Sequence, residues 1–136
     1  MNKNIICGIA LILLLTSLGC AQMDQMASSI GDMMTLTADL AEAYPEEEIE
    51  VEINSYFSGS DATNNLTAYF INSRYGDLSS AAQETQAREI ATFIKENYAS
   101  ISEIDVIVVV FRHHSEVVVA SFDSDSTYEF DVKDLE

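Results

Sequence analysis

Between Asp105 and Phe111 the chain reads DVIVVVF, a run in which five β-branched residues follow one another without a polar break. Such side chains are stiff at χ1 and fit an extended backbone better than a helical one. A continuous apolar run of this length is the pattern of a strand covered on both faces, since a half-exposed strand alternates. The strand is expected over Ile104 to Phe111, and something has to cover each of its faces. A helix can take one. For the other, the candidates are the chain's first helix or the partner of a weak dimer.

The remaining elements follow from their spacing. From Met23 to Tyr44, apolar residues recur at three or four positions (Met26, Ile30, Met33, Leu40 and Tyr44), the period of an amphipathic helix, and Pro45 stops it. Glu48, Glu50 and Glu52 alternate with Ile49, Val51 and Ile53, the period of a strand wetted on one face, so a strand is expected over Glu48 to Phe57. The polar stretch Ser58 to Asn65, with Gly59, reads as a long loop before a second strand over Leu66 to Tyr75. Ser80-Ala81-Ala82-Gln83 fits a capping box, and Ala87, Ile90, Ala91, Ile94 and Tyr98 build one face of a helix over Ser80 to Tyr98. After the apolar strand, a polar break at His114-Ser115 leads to Val117 to Phe122. The DSDS segment then separates or bulges that stretch from Tyr128 to Val132, with Asp123, Asp125, Glu129 and Asp131 on one strand face.

The order is a helix followed by β-β-α-β-β. It predicts an α+β fold with an antiparallel sheet of four or five strands packed on one or two helices. Residues 20–45 would carry the first helix, and 46–136 a single α+β domain.

The first nineteen residues have a different character. Lys3 precedes Ile5 to Leu18, which is apolar except for Cys7, Gly8, Thr16 and Ser17. This is the layout of a secretory leader. Its fourteen residues would make a helix of roughly 21 Å at about 1.5 Å per residue, short of a hydrocarbon core of about 30 Å. Small residues then precede Cys20. Ser17-Leu18-Gly19-Cys20 resembles the lipobox of bacterial lipoproteins, departing from it at Ser17, where that family prefers leucine. The resemblance implies cleavage before Cys20, a thioether-linked diacylglycerol on its sulfur and an acyl chain such as palmitate on its nitrogen. It also implies, from Ala21 in place of an aspartate, the outer membrane. An ordinary signal peptide cut near Ala21 would discard Cys20 instead. With Cys7 removed and Cys20 acylated, the mature chain has no thiol for catalysis, a disulfide or zinc.

Loss of Lys3 with the leader leaves 23 acidic residues against five basic ones, a net charge of −18. Nucleic acid and anionic lipid are poor partners for such a chain, because phosphate recognition needs clustered lysine and arginine. A cationic protein or another envelope partner suits it better.

Sites of chemistry are sparse. His113 and His114 are adjacent, so in a regular strand they point to opposite faces and cannot share a metal or a substrate. In a turn, Arg112, His113, His114 and Glu116 form a polar hairpin tip, a candidate interaction surface. Ser115 has no nucleophile elbow around it. Asp123, Asp125 and Thr127 imitate the first ligands of a calcium loop, but Tyr128 takes the place of the turn glycine and Asp134 that of the bidentate glutamate. No cofactor is indicated. The expectation is a small acidic envelope lipoprotein acting as a non-catalytic binding or structural module. The alternatives are a divalent-cation-binding protein using the acidic C-terminal segment, and an enzyme working through one histidine with a distant carboxylate.

Overall fold

The computed structural model describes residues 29–59, 61–117 and 120–136. The leader, Cys20 and the first part of the expected helix, with Met23 and Met26, lie outside the described residues. Residues from Asp32 to Glu136 form one compact unit, and of the preceding unit, Met1–Gly31, only 29–31 are described.

Helix α1 covers 29–43 and ends just before Pro45, which lacks the amide that another turn requires. Strand β1 (Glu48–Ser58) and strand β2 (Asp61–Ile71) form an antiparallel hairpin. Their connection is a tight turn with Gly59 at φ 67°, a backbone conformation that glycine adopts without steric cost. The expected eight-residue loop is therefore absent. Its polar residues pair across the hairpin from Asn54↔Asn65 to Ser58↔Asp61, because a ribbon solvated on both faces needs ladder hydrogen bonds but no apolar face. Strand β2 also ends earlier than Tyr75. Asn72 takes φ 50°, its amide donates to the Arg112 carbonyl at 2.7 Å, and a 3₁₀ turn follows over Arg74–Asp77.

Helix α2 (Ser80–Asn97) lies where its apolar spacing places it. Its start is not a capping box. Ser79 is the N-cap and makes no side-chain cap bond, while Gln83 is buried. Gln83 Nε2 donates to the Gly76 carbonyl at 2.7 Å, and Gln83 Oε1 accepts from the Tyr128 hydroxyl at 2.8 Å.

Strand β3 (Val106–Val117) and strand β4 (Ala120–Asp131) form a second antiparallel hairpin, paired from Val106↔Asp131 to Val117↔Ala120. No break occurs at His114-Ser115, and DSDS neither separates nor bulges the last strand, since both segments stay in one ladder.

The sheet order is β1-β2-β3-β4. The sheet is mixed, correcting the antiparallel expectation. Strands β2 and β3 run parallel over Asn65–Ile71 and Val106–Arg112. The short connections lie within each hairpin, but the segment between the hairpins contains α2, which carries the chain back to the end where β2 began. Both helices pack on one face. Leu36 and Leu40 of α1, and Ala87, Ile90, Ala91 and Ile94 of α2, share a buried cluster with Leu66, Ala68, Phe70, Ile107, Val109 and Phe111. At the end of α1, Tyr44 meets Phe70 edge-on at 5.5 Å and Phe93 at 6.2 Å.

The two hairpins are offset along the strand direction. The last four pairs of β1–β2, from Ser55↔Asn64 to Ser58↔Asp61, extend past the start of β3. The last five pairs of β3–β4, from His113↔Ser124 to Val117↔Ala120, extend past the other end of β2. Each hairpin thus sends a two-stranded ribbon out of an opposite end of the sheet.

Candidate functional site: the open face of the sheet

Residues that alternate with the core positions share the face opposite the helices. Register fixes their rows: Glu52, Thr67, Val108 and Glu129 in one, Glu50, Tyr69, Val110 and Thr127 in the next, then Glu48, Ile71, Arg112 and Asp125. The apolar middle comes from β3, and the outer strands supply carboxylates on both flanks.

Val108 and Val110 are only 7% and 4% exposed although both helices lie on the other side. The described part of the first helix, offered above as the second cover, packs on the other face through Leu36 and Leu40. In register, Val108 lies between Thr67 and Glu129, and Val110 between Tyr69 and Thr127. Long polar side chains can lay their carbon stems over apolar surface and keep their charged ends in water.

A polar chain crosses all four strands on this face. The Tyr69 hydroxyl donates to Glu52 Oε1 at 2.5 Å. The Arg112 guanidinium stacks over the Tyr69 ring at 4.5 Å from its centroid, and Arg112 donates to both carboxylate oxygens of Asp125, the shortest contact being 3.0 Å. The hydrogen bond to the Glu52 carboxylate, then burial, then the Glu52 charge raise the Tyr69 pKa above its ordinary value, and Arg112 works against them. The phenol stays protonated and donating. Sequence reasoning missed Tyr69 and Glu52, because only the register brings them to Arg112.

Arg112, His113, His114 and Glu116 all lie within β3, so they are not a hairpin tip. The tip falls at 118–119, outside the described residues. A ladder that can pair Ser115↔Phe122 and Glu116↔Ser121 carries the strands past the polar residues. His113 is exposed, and the backbone of His114 is registered with Asp123. The side chains of His114, Glu116 and Asp123 lie outside the description. Asp123, Asp125 and Thr127 are on one extended strand, where alternate residues stand about 6.6 Å apart, and Asp125 is taken by Arg112. Among the described residues, no group of three or more His, Cys, Asp or Glu side chains is placed to hold a metal ion.

A concavity of about 500 Å³ lies along α2, lined by Tyr44, Thr85, Arg88, Glu89, Thr92, Phe93 and Glu96. Burial first, then Tyr75 and Glu89, raises the Tyr44 pKa. The lining offers neither a thiol nor an imidazole. Among the described residues, no helix is long and apolar enough to cross a membrane.

No known family, curated protein or solved structure matches the chain.

Proposed function

We propose that the chain is a lipoprotein of a bacterial envelope, held at the outer membrane through Cys20, and that its folded unit is a non-catalytic binding module for a cationic polypeptide. The anchoring half rests on the leader and on Ser17-Leu18-Gly19-Cys20. The binding half rests on one observation. The open sheet face carries Glu48, Glu50 and Glu52 on one flank and Asp125, Glu129 and Asp131 on the other, while its guanidinium, Arg112, is bonded to Asp125. Charges arranged this way steer an oppositely charged partner and fix its register.

Pull-down of the protein from detergent-solubilised envelopes without crosslinking, with washes at rising salt, tests the pair of claims. The expected result is a partner of net positive charge that is lost at about 0.5 M salt, where screening falls below roughly 5 Å, and lost from a Glu50→Gln/Glu129→Gln double variant. Both residues are exposed, so the double variant keeps its fold. A partner retained equally by both proteins and at all salt concentrations refutes the binding half. Cys20→Ser serves as the anchoring control, and a variant that still carries lipid refutes that half.

A further inference from the structure

Two large aromatic side chains stand in solvent on the β1–β2 ribbon. Tyr56 is 59% and Phe57 80% exposed. They lie one and two pairs beyond Asn64, where the ribbon leaves the body of the sheet. The base of the ribbon is tied down. The Asn64 amide donates to Asp105 Oδ2 at 2.8 Å, the Asp105 amide donates to the Asn64 carbonyl at 2.9 Å, and Asn64 Nδ2 donates to the Glu103 carbonyl at 2.9 Å. The same loop carries Ser100, whose hydroxyl donates to Asp32 at the start of the compact unit. Asp32, Ser100, Asp105 and Asn64 therefore mark one end of the unit. The ribbon projects from that end, where Asp32 lies twelve residues after Cys20 in sequence. Met34, two residues into α1 from Asp32, is also 69% exposed there.

The local charge is as unusual as the exposure. Between Glu52 and Arg74 the only charged residue is Asp61, in a chain with 29 charged side chains. A strongly acidic protein is repelled by anionic headgroups, and Asp32, Glu103 and Asp105 make this end acidic, but the ribbon itself, 55–64, carries only Asp61 and suits a zwitterionic surface. Tyrosine at such a place favours the region between headgroups and acyl chains, where its amphipathic ring meets both phases, and the phenylalanine beside it gains by leaving water for the acyl region.

We infer that Tyr56 and Phe57 insert into the membrane interface beside the lipidated Cys20 as a second foothold. This inference rests on the lipid-anchored reading given above. Twelve residues reach about 18 Å if helical and about 40 Å if extended, so the tether allows the aromatic tip to meet the bilayer. Two separated contacts hold the strands steeply to the membrane plane and send the β3–β4 ribbon away from it, where a single tether would leave the unit free to roll.

The test uses the full chain, processed and lipidated in cells, then reconstituted into phosphatidylcholine vesicles containing doxyl-labelled lipid. In the mature protein Cys20 is a thioether and Cys7 is gone, so Phe57→Cys supplies a single thiol for an environment-sensitive fluorophore. Asp77→Cys, exposed in the 3₁₀ turn at the opposite end of β2, is the control. The expected result is fluorescence lost to the lipid quencher at position 57 and retained at 77. An unquenched label at 57, with mass spectrometry showing the lipid on Cys20, overturns the inference while leaving the anchor in place, and assigns the tip to a protein partner or to solvent. Equal quenching at both positions overturns it as well, because the unit then lies flat. Mass spectrometry showing an unmodified Cys20 removes both the anchor and the foothold.

Discussion

Truncation of Leu40 to alanine tests whether α1 is part of the folded unit or a stalk beside it. Leu40 is fully buried, together with Leu36 one turn earlier, in the cluster that also contains Ile90, Ile94 and Phe70. Removing a buried leucine side chain loses its transfer free energy and leaves a cavity, a combined cost of about 2–5 kcal/mol. For a unit near one hundred residues, each kcal/mol moves the melting temperature by about 4–8 °C. A loss of about 3 kcal/mol therefore lowers Tm by roughly 12–24 °C. Met34 provides the comparison within the same helix, because it is largely exposed and alanine is the better helix former. Met34→Ala should shift stability by no more than about 0.5 kcal/mol. Urea unfolding followed by far-ultraviolet circular dichroism gives both values, and an unchanged slope shows that the same surface is exposed in each variant. If Leu40→Ala costs less than about 1 kcal/mol, or no more than Met34→Ala, α1 is not docked and the core begins at β1.

Two further outcomes are expected. Gln83→Leu keeps the volume but leaves the Gly76 carbonyl without its donor and the Tyr128 hydroxyl with only its longer bond to the Ser80 carbonyl at 3.4 Å, so it should lower the urea-derived stability by about 1–3 kcal/mol; an unchanged midpoint would show that water replaces both bonds. Stability should also fall in alkali. The pKa values of Tyr44 and Tyr69 are raised in the folded state, so as pH rises past about 10 the unfolded phenols lose protons that the folded ones keep, and this contribution is lost as pH passes through the folded values. Urea midpoints between pH 9 and 11.5 check the sign, Tyr69→Phe should flatten part of the decline, and a midpoint that rises over this range refutes the assignment.

Local periodicity was enough for the elements whose partners are supplied by one layer. Ala87, Ile90, Ala91 and Ile94 locate α2, and the Glu48 to Ile53 alternation locates β1 with its carboxylates outward. Polarity misled where the backbone ladder, not burial, holds the chain. Residues 58–65 and 112–116 look like loops because they offer no apolar face, yet pairing carries the strands through them. Gln83 resembles a capping residue in sequence and is a buried bridge in three dimensions, since its partners Gly76 and Tyr128 lie 7 and 45 residues away. The candidate face was half legible. Its acidic rows could be read from each strand alone, but the link from Glu52 through Tyr69 and Arg112 to Asp125 depends on the order of four strands. The five β-branched residues implied cover on both faces, and Val108 and Val110 are indeed buried on the face away from α1 and α2.

The offset of the hairpins also has a mechanical consequence. From Asp61 along β2 to the level of Ile71, and onward along β3 from Arg112 to Val117, the sheet extends fifteen residue steps, roughly 50 Å at about 3.3 Å each. No single strand covers that distance. Tension between the two ribbon ends must cross from one hairpin to the other through the seven registered pairs of β2 and β3. Those hydrogen bonds lie across the direction of pull and are loaded together in shear. They resist as a group where a peeled hairpin would open one pair at a time, so the parallel seam is the element that sets the force the unit can bear.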